Sequence, residues 1–424
     1  MVYTDNKFDK INLRFIFFGF ILSQKISFIG QIYLLEIFSI LYLILNFTTI
    51  KFNPLLKKLS LVLFFHLIVV IYSDYINQSS IDLFLKGFFS LPVFFATVLF
   101  LFNYFNNKYF IFINFLIGFL IGDNFINNFI NNYNPFFFGN PIKWGGGLLL
   151  LSLIFLYDEF DKNKISLAKS LIFTFILIII SLISGARTLP LTIFFAQILL
   201  ILTFKTNLLE IFNSKKTFFL FSLIIFLSTI ALGLLPGKIN SEKYFTDINE
   251  KNISQNQGTF GVVVAARSEW IAIYHAFKDK PFFGHGSYPA DKNYYYTSKI
   301  GEFLYDNNYI DIIPNYHTLF EMTLRSFTTR MEKQIPSHSF YGFHLICYGF
   351  LGSLFMIVLL YFITTTYLNH CRYLNFYFHF HFITFIYNFY FSPWGSFHRI
   401  SVALFLVILI LKSDLLSKSK NLKS

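Results

Sequence analysis

From Ile11 to Lys412 the chain is divided by charges, asparagines and Pro/Gly breaks into apolar runs, several of them close to the length that crosses a lipid bilayer. A crossing helix needs about 20 apolar residues, with roughly 17–25 as the working range. In hydrocarbon every backbone N–H and C=O must be bonded within the chain, so such runs are read as helices. They fall near 11–24, 29–50, 59–73, 82–102, 109–123, 144–157, 165–184, 189–204, 217–235, 341–363, 373–391 and 398–412. INNFINNYNPFFFGNP before Trp144 and LLPGK around Pro236 mark two of the breaks. The expected fold is an all-α polytopic membrane protein with about 12 transmembrane helices and no internal repeat.

Composition agrees with this reading. Hydrophobic residues make up 55% of the 424, and only 13% are charged, against roughly 25% in an ordinary soluble chain. The 62 Phe and 26 Tyr rise together with Ile, Asn and Lys. That pattern resembles AT-rich coding, so aromatic abundance is not by itself a sign of binding. Two cysteines, Cys347 and Cys371, are too few for a disulfide framework or a cysteine metal site. The run from Ile11 follows Lys7 and Lys10 and lacks a small-residue cleavage site, so it is expected to be a retained first helix.

The net charge of +12 raises nucleic acid as a partner, and its distribution decides against it. On one side of the alternating helices fall eighteen Lys and Arg, including Lys51, Lys57, Lys58, Lys162, Lys164 and Lys412. The opposite side holds five: Lys25, Lys86, Lys143, Arg187 and Arg399. Positive charge gathers in cytoplasmic connections, so both termini are expected in the cytoplasm of a bacterial-type inner membrane. The same alternation places the one long hydrophilic segment, 236–340, outside, between the ninth and tenth helices. With 11 basic and 11 acidic residues, Trp270 and helix-like stretches, it is expected to form a folded periplasmic cap. The expected organisation is helices one to nine over 1–235, the large loop over 236–340, helices ten to twelve over 341–412, and a cytoplasmic tail over 413–424.

Three places in the outward half carry candidate chemistry. In SGARTLP, Arg187 sits in a short turn between two apolar helices. A charge at that depth usually faces protein or a water-filled cavity, although an interfacial arginine can also snorkel to headgroups. In the second, Val262 to Lys278 reads as an amphipathic helix carrying Arg267, stopped by Pro281 and followed by Gly284, His285 and Gly286, a turn whose backbone could approach a ligand closely. In the third, His338 precedes the tenth apolar run, and an uncharged imidazole there could take a proton from a hydroxyl. Each has a bland alternative: a solvated arginine, an ordinary glycine turn, an interfacial histidine.

Taken together and in this order, the three resemble the O-antigen ligase and polymerase superfamily. Its members share an arginine in a short outward loop, a large periplasmic loop, and a histidine opening the next helix. The family's loop pattern is matched by Arg267, Pro281, Gly284 and Gly286, and its histidine-to-helix pattern by His338, Gly349 and Gly352. The resemblance runs from about Trp144 to Leu360; where the family commonly has Asn after the histidine, this chain has Ser339.

The resemblance implies a glycosyltransferase that needs no metal or cofactor and moves a glycan from a polyprenyl diphosphate to an acceptor such as a lipid A–core glycan, at the membrane lipid surface. Arg187 and Arg267 would clamp the diphosphate, His338 would act as base, and Gly284, His285 and Gly286 would be loop contacts. Arginine's planar, permanently charged fork suits phosphate. No histidine or acidic cluster has metal-ligand spacing: His275 and His285 flank a breaker, His317 stands apart, and His379 and His381 point to different helix faces, as cavity or interface residues. A polymerase of the same superfamily is the nearest alternative. A polysaccharide transporter or flippase would be expected to show repeat symmetry, which is not found.

Overall fold

The computed structural model describes residues 11–28, 30–124, 147–160, 165–183, 188–205, 268–308 and 334–421. Its helices are α1 Leu13–Leu22, α2 Leu34–Leu45, α3 Pro54–Asn77, α4 Ile81–Tyr104, α5 Tyr109–Gly122, α6 Gly147–Tyr157, α7 Leu167–Ile183, α8 Thr188–Lys205, α9 Glu269–Asp279, α10 Tyr295–Asp306, α11 Phe340–His370, α12 Phe376–Phe391 and α13 Ser396–Asn421. Eleven of the expected membrane helices coincide with a helix, and the one expected at 217–235 lies outside the described residues.

Length separates these helices into two groups. Among the described residues, four stretches are long and apolar enough to cross a bilayer by themselves: Pro54–Asn77, Ile81–Tyr104, Phe340–Tyr373 and Ser396–Lys418. The other apolar helices, such as α1, α2 and α5, are shorter. At 1.5 Å per residue, the 24 residues of α3 reach about 36 Å, ample for a hydrocarbon core of about 30 Å. Asn53 caps that helix by accepting the Leu56 N–H at 2.7 Å, Pro54 supplies its first turn, and Gln78 ends it in the left-handed conformation.

The expectation of an all-α chain needs one correction. Residues expected to begin the second helix at 29 instead form a hairpin, β1 Lys25–Phe28 against β2 Gly30–Tyr33, antiparallel, with Lys25 opposite Tyr33. The physical reason is long-range. Lys25 pairs with the buried Asp123 at 3.3 Å, Tyr33 donates its hydroxyl to the same carboxylate at 2.9 Å, and the Tyr33 N–H donates to Glu36. These bonds hold the chain folded back before α2 starts.

Most helices share one apolar core. α1 lies along α5, where a side chain at Gly118 would strike the Ile16 carbonyl, and α3 packs on α11 while α4 packs on α2 and α13. Two further buried ion pairs cross this core. Arg399 meets Glu36 at 2.6 Å, and Lys412 meets Glu159, which also accepts the Tyr109 hydroxyl. Lys25, Arg399 and Lys412, counted as topology signals in the sequence, therefore also act as internal ties. α9 and α10 pack together through Ala272, Ile273, Ala276, Tyr296, Ile300 and Leu304, and this small cap rests on Leu345 and Ile346 of α11.

Candidate active site at the start of the kinked helix

His338 lies two residues before α11 and is half-buried, with its Nδ1 shielded from solvent. Ser339 is the N-cap. Its hydroxyl oxygen accepts the Gly342 N–H at 2.9 Å, and its hydroxyl hydrogen goes to the Phe389 carbonyl of α12 at 2.9 Å. A serine in this place thus terminates one helix and ties it to another, using both of its bonding capacities.

The floor below is aromatic. Phe340 meets the Trp394 ring edge-on at 4.9 Å and the His398 ring at 5.4 Å. Trp394 donates its indole N–H to Ser90 of α4 at 3.1 Å, and His398 stands near enough to His338 for their charges to interact. Arg399, beside it, is held by Glu36. Sequence reading missed His398, because nothing in the spacing of 338 and 398 brings them together. On another side, the Lys86 ammonium sits 3.9 Å from the centre of the Tyr288 ring, a cation–π arrangement.

The turn that bears Gly284, His285 and Gly286 is built against α11. α11 is broken at Gly349, whose backbone lies at φ 62°, ψ −163°. Two helical bonds, Phe350 N–H to Ile346 and Leu351 N–H to Cys347, are thereby lost. The turn replaces them with four: His285 N–H to the Ile346 carbonyl at 2.8 Å, Gly286 N–H to Cys347 at 2.9 Å, Phe350 N–H to Pro281 at 2.8 Å and Leu351 N–H to Phe282 at 3.3 Å. Irregular backbone in a membrane-spanning helix is tolerated where protein satisfies it. Gly284 and Gly286 both have positive φ, and a Cβ on Gly284 would lie 2.5 Å from the Cys347 backbone. The close backbone approach expected of this turn is thus made to α11. Gly349 breaks its helix there, because only glycine enters that backbone region readily.

His285 is fixed inside the cap. Its Nε2 lies 2.8 Å from the Ala276 carbonyl, so that nitrogen carries the hydrogen. Burial pushes its pKa below the ordinary histidine value, against the opposing effect of the Ala276 carbonyl. Tyr296 donates to Asp279 at 2.9 Å and lies on the His285 ring, closing the network. Beyond the turn, Pro289 accepts the Ile335 N–H at 3.0 Å and Ala290 pairs with Gln334, so the stretch Pro281–Ala290 flanks His338 on both its N-terminal and C-terminal sides. Trp270 of α9 donates to the Tyr390 carbonyl of α12 at 3.2 Å, a second tie between cap and bundle.

Arg187, Arg267 and His317 lie outside the described residues. In sequence, Arg187 immediately precedes α8 and Arg267 stands two residues before α9. Among the described residues, no group of three or more His, Cys, Asp or Glu is arranged to hold a metal ion. His379 and His381 have separate neighbours: the first bonds Tyr367, and the second lies 3.3 Å from Ser152 and lines a cavity between α5, α12 and α13.

Residues 172–316, about a third of the chain, match the family described as O-antigen ligase. The matched stretch contains Arg187, Arg267, Gly284, His285 and Gly286 and ends before His338. It supports the resemblance to the O-antigen ligase superfamily and, with the apolar helices, an integral inner-membrane protein of polysaccharide biosynthesis. No curated protein and no solved structure matches the chain.

Proposed function

We propose that this chain, with its O-antigen-ligase-like segment seated on a helical membrane bundle, transfers a glycan from a polyprenyl-diphosphate carrier to an acceptor hydroxyl at the periplasmic face of the inner membrane. The observation that carries the reading is the docking of α9, the 281–290 turn and α10 onto α11, the helix that His338 opens. All three docked parts lie in the family-matched stretch, whereas His338 lies beyond it. The docking of part of the family-matched stretch onto the helix that the candidate base precedes supports the reading.

In the proposed reaction, His338 takes the proton of the acceptor hydroxyl as its oxygen attacks the anomeric carbon. The bond from that carbon to the diphosphate oxygen breaks, and the polyprenyl diphosphate leaves as an anion. Arg187 and Arg267 stabilise the leaving charge, a task that fixed cations perform without a metal. The bias of lysine and arginine supports cytoplasmic termini and an outward segment 236–340.

The test uses full-length protein in nanodiscs with lipid-linked donor and acceptor. His338→Ala is expected to abolish turnover while leaving donor bound, since proton removal is needed only as the acceptor attacks. Arg187→Ala and Arg267→Ala are expected to weaken donor binding and rate, with only partial rescue by Lys. Near-parental transfer by His338→Ala, or complete metal-restorable loss in EDTA, refutes this mechanism. In cells, deletion that leaves unattached lipid-linked polymer supports ligation, whereas deletion that leaves single-repeat surface glycan identifies a polymerase.

A further inference from the structure

The outer end of α3 carries an acidic residue that the proposed chemistry does not use. Asp74 is only 5% exposed, and both of its carboxylate oxygens are engaged by one residue of the cap turn. Oδ1 accepts the Ser287 N–H at 2.6 Å, and Oδ2 accepts the Ser287 hydroxyl at 2.7 Å. The Ser287 hydroxyl has one hydrogen, committed to Asp74, so at 2.9 Å the Tyr348 hydroxyl must be its donor. The relay runs from Tyr348 of α11, through Ser287, to Asp74 of α3, with a fixed direction for every hydrogen.

The fit around this relay is tight. A side chain at Gly87 of α4 would fall 2.1 Å from the Ser287 hydroxyl, so Ser287 is wedged between α3, α4 and α11. One turn along α3, Asn77 donates to the Gly284 carbonyl at 3.1 Å and accepts from Lys280. Ser73 adds a bond to the Cys347 carbonyl at 3.1 Å. Two residues on one face of α3, Asp74 and Asn77, therefore grip the turn that replaces the broken bonds of α11, and a third, Ser73, holds α11 itself. A buried carboxylate is a costly way to obtain packing alone, and an ionisable group at membrane depth points by default to a functional role.

We propose that Asp74, acting through Ser287, is a positioning residue for the reaction at His338. It locks the Pro281–Ala290 stretch against the break in α11, and so sets the orientation of the short upper segment, from Phe340 to Tyr348, that His338 precedes. The proposal rests on the transferase reading for its rate effect and on the hydrogen-bond geometry alone for its effect on the turn.

The experiment compares Asp74→Ala, Asp74→Asn and Ser287→Ala with the parent and with His338→Ala, as full chains in nanodiscs. Two quantities are read: amide exchange at His285, Gly286 and Ser287, and single-turnover transfer at saturating lipid-linked donor and acceptor. A misplacement on the order of 1 Å in a reacting group costs about a hundredfold in rate. Asp74→Ala is accordingly expected to speed exchange at the three amides and to lower the transfer rate constant about ten- to a hundredfold. The amplitude of the single turnover is expected to stay parental. A merely structural loss would instead lower the amplitude, as fewer molecules fold, and leave the rate constant of the remainder unchanged. Asp74→Asn keeps the volume and one acceptor oxygen, so it should fall between Ala and parent and covers the case in which Ala fails to insert. Ser287→Ala removes the hydroxyl relay and keeps the N–H, and is also expected to be intermediate. With His338→Ala inactive, a parental rate constant in Asp74→Ala and Asp74→Asn overturns the positioning role alone. Parental transfer in His338→Ala overturns the transferase mechanism, and the positioning role with it. Unchanged exchange at the three amides overturns the latch whatever the rates show.

Discussion

Replacing Gly349 by Ala tests whether the cap turn is truly built into α11. Gly349 occupies a backbone region that is essentially restricted to glycine, and a Cβ there would lie 2.4 Å from the Phe282 carbonyl carbon. The chain then has two responses. It can keep the break and bear strain of roughly 1–3 kcal/mol. Alternatively, α11 can close, restoring two helical bonds while losing the four to the turn, a net loss of two bonds at about 0.5–1.5 kcal/mol each. Both routes give about 1–3 kcal/mol, so cap docking should weaken by that amount, a roughly 5- to 150-fold rise in the undocked population. Hydrogen exchange at the His285 and Gly286 amides reads this population directly, since both donate to α11. Gly395→Ala is the control, because a side chain there meets nothing within 4 Å. Exchange at parental rates in Gly349→Ala would show that the turn is not held by the break in α11.

Two further outcomes follow from buried charge. Burial lowers the His285 pKa in the folded cap, so its contribution to stability is complete above the ordinary value near 6.5 and is lost as pH falls from there toward the folded value. Amide protection in α9 and the following turn should therefore decline as pH falls below the ordinary histidine value near 6.5, and His285→Gln, which keeps a donor for Ala276 without titrating, should flatten that decline; an unchanged profile in the variant refutes the assignment. Lys412→Met should destabilise the bundle by about 3–5 kcal/mol by stranding the Glu159 carboxylate, and a second change, Glu159→Leu, should recover most of it. Thermal unfolding in detergent measures both, and a double variant no more stable than Lys412→Met argues against the pair.

Helices were legible in the sequence because lipid imposes a local rule: contiguous apolar residues must satisfy their own backbone, which happens within a helix. The stretches that became α3, α4, α11 and α13 are long and apolar enough to follow that rule, and α11 departs from it at Gly349. The hairpin at 25–33 was not legible. Its mix of apolar residues with Lys25, Ser27, Gly30 and Gln31 does not by itself specify a hairpin, and its shape depends on Asp123, distant in sequence. Gly349 and Gly352 read only as part of the histidine-to-helix pattern, and the sequence did not show that Gly349 has positive φ and opens the helix to a turn some sixty residues upstream.

The candidate site divides the same way. His338 and the Gly284–Gly286 turn could be picked out by pattern, because residue type and order along the chain carry the family resemblance. That the turn serves α11, that His398 is near enough to His338 for their charges to interact, and that Asp74 grips Ser287 across 213 residues were decided only by the tertiary structure. Hydropathy and punctuation are properties of neighbouring residues and survive in one dimension. A hydrogen bond between groups far apart in the chain exists only once the packing of α3, α4 and α11 has excluded water and brought donor and acceptor within reach.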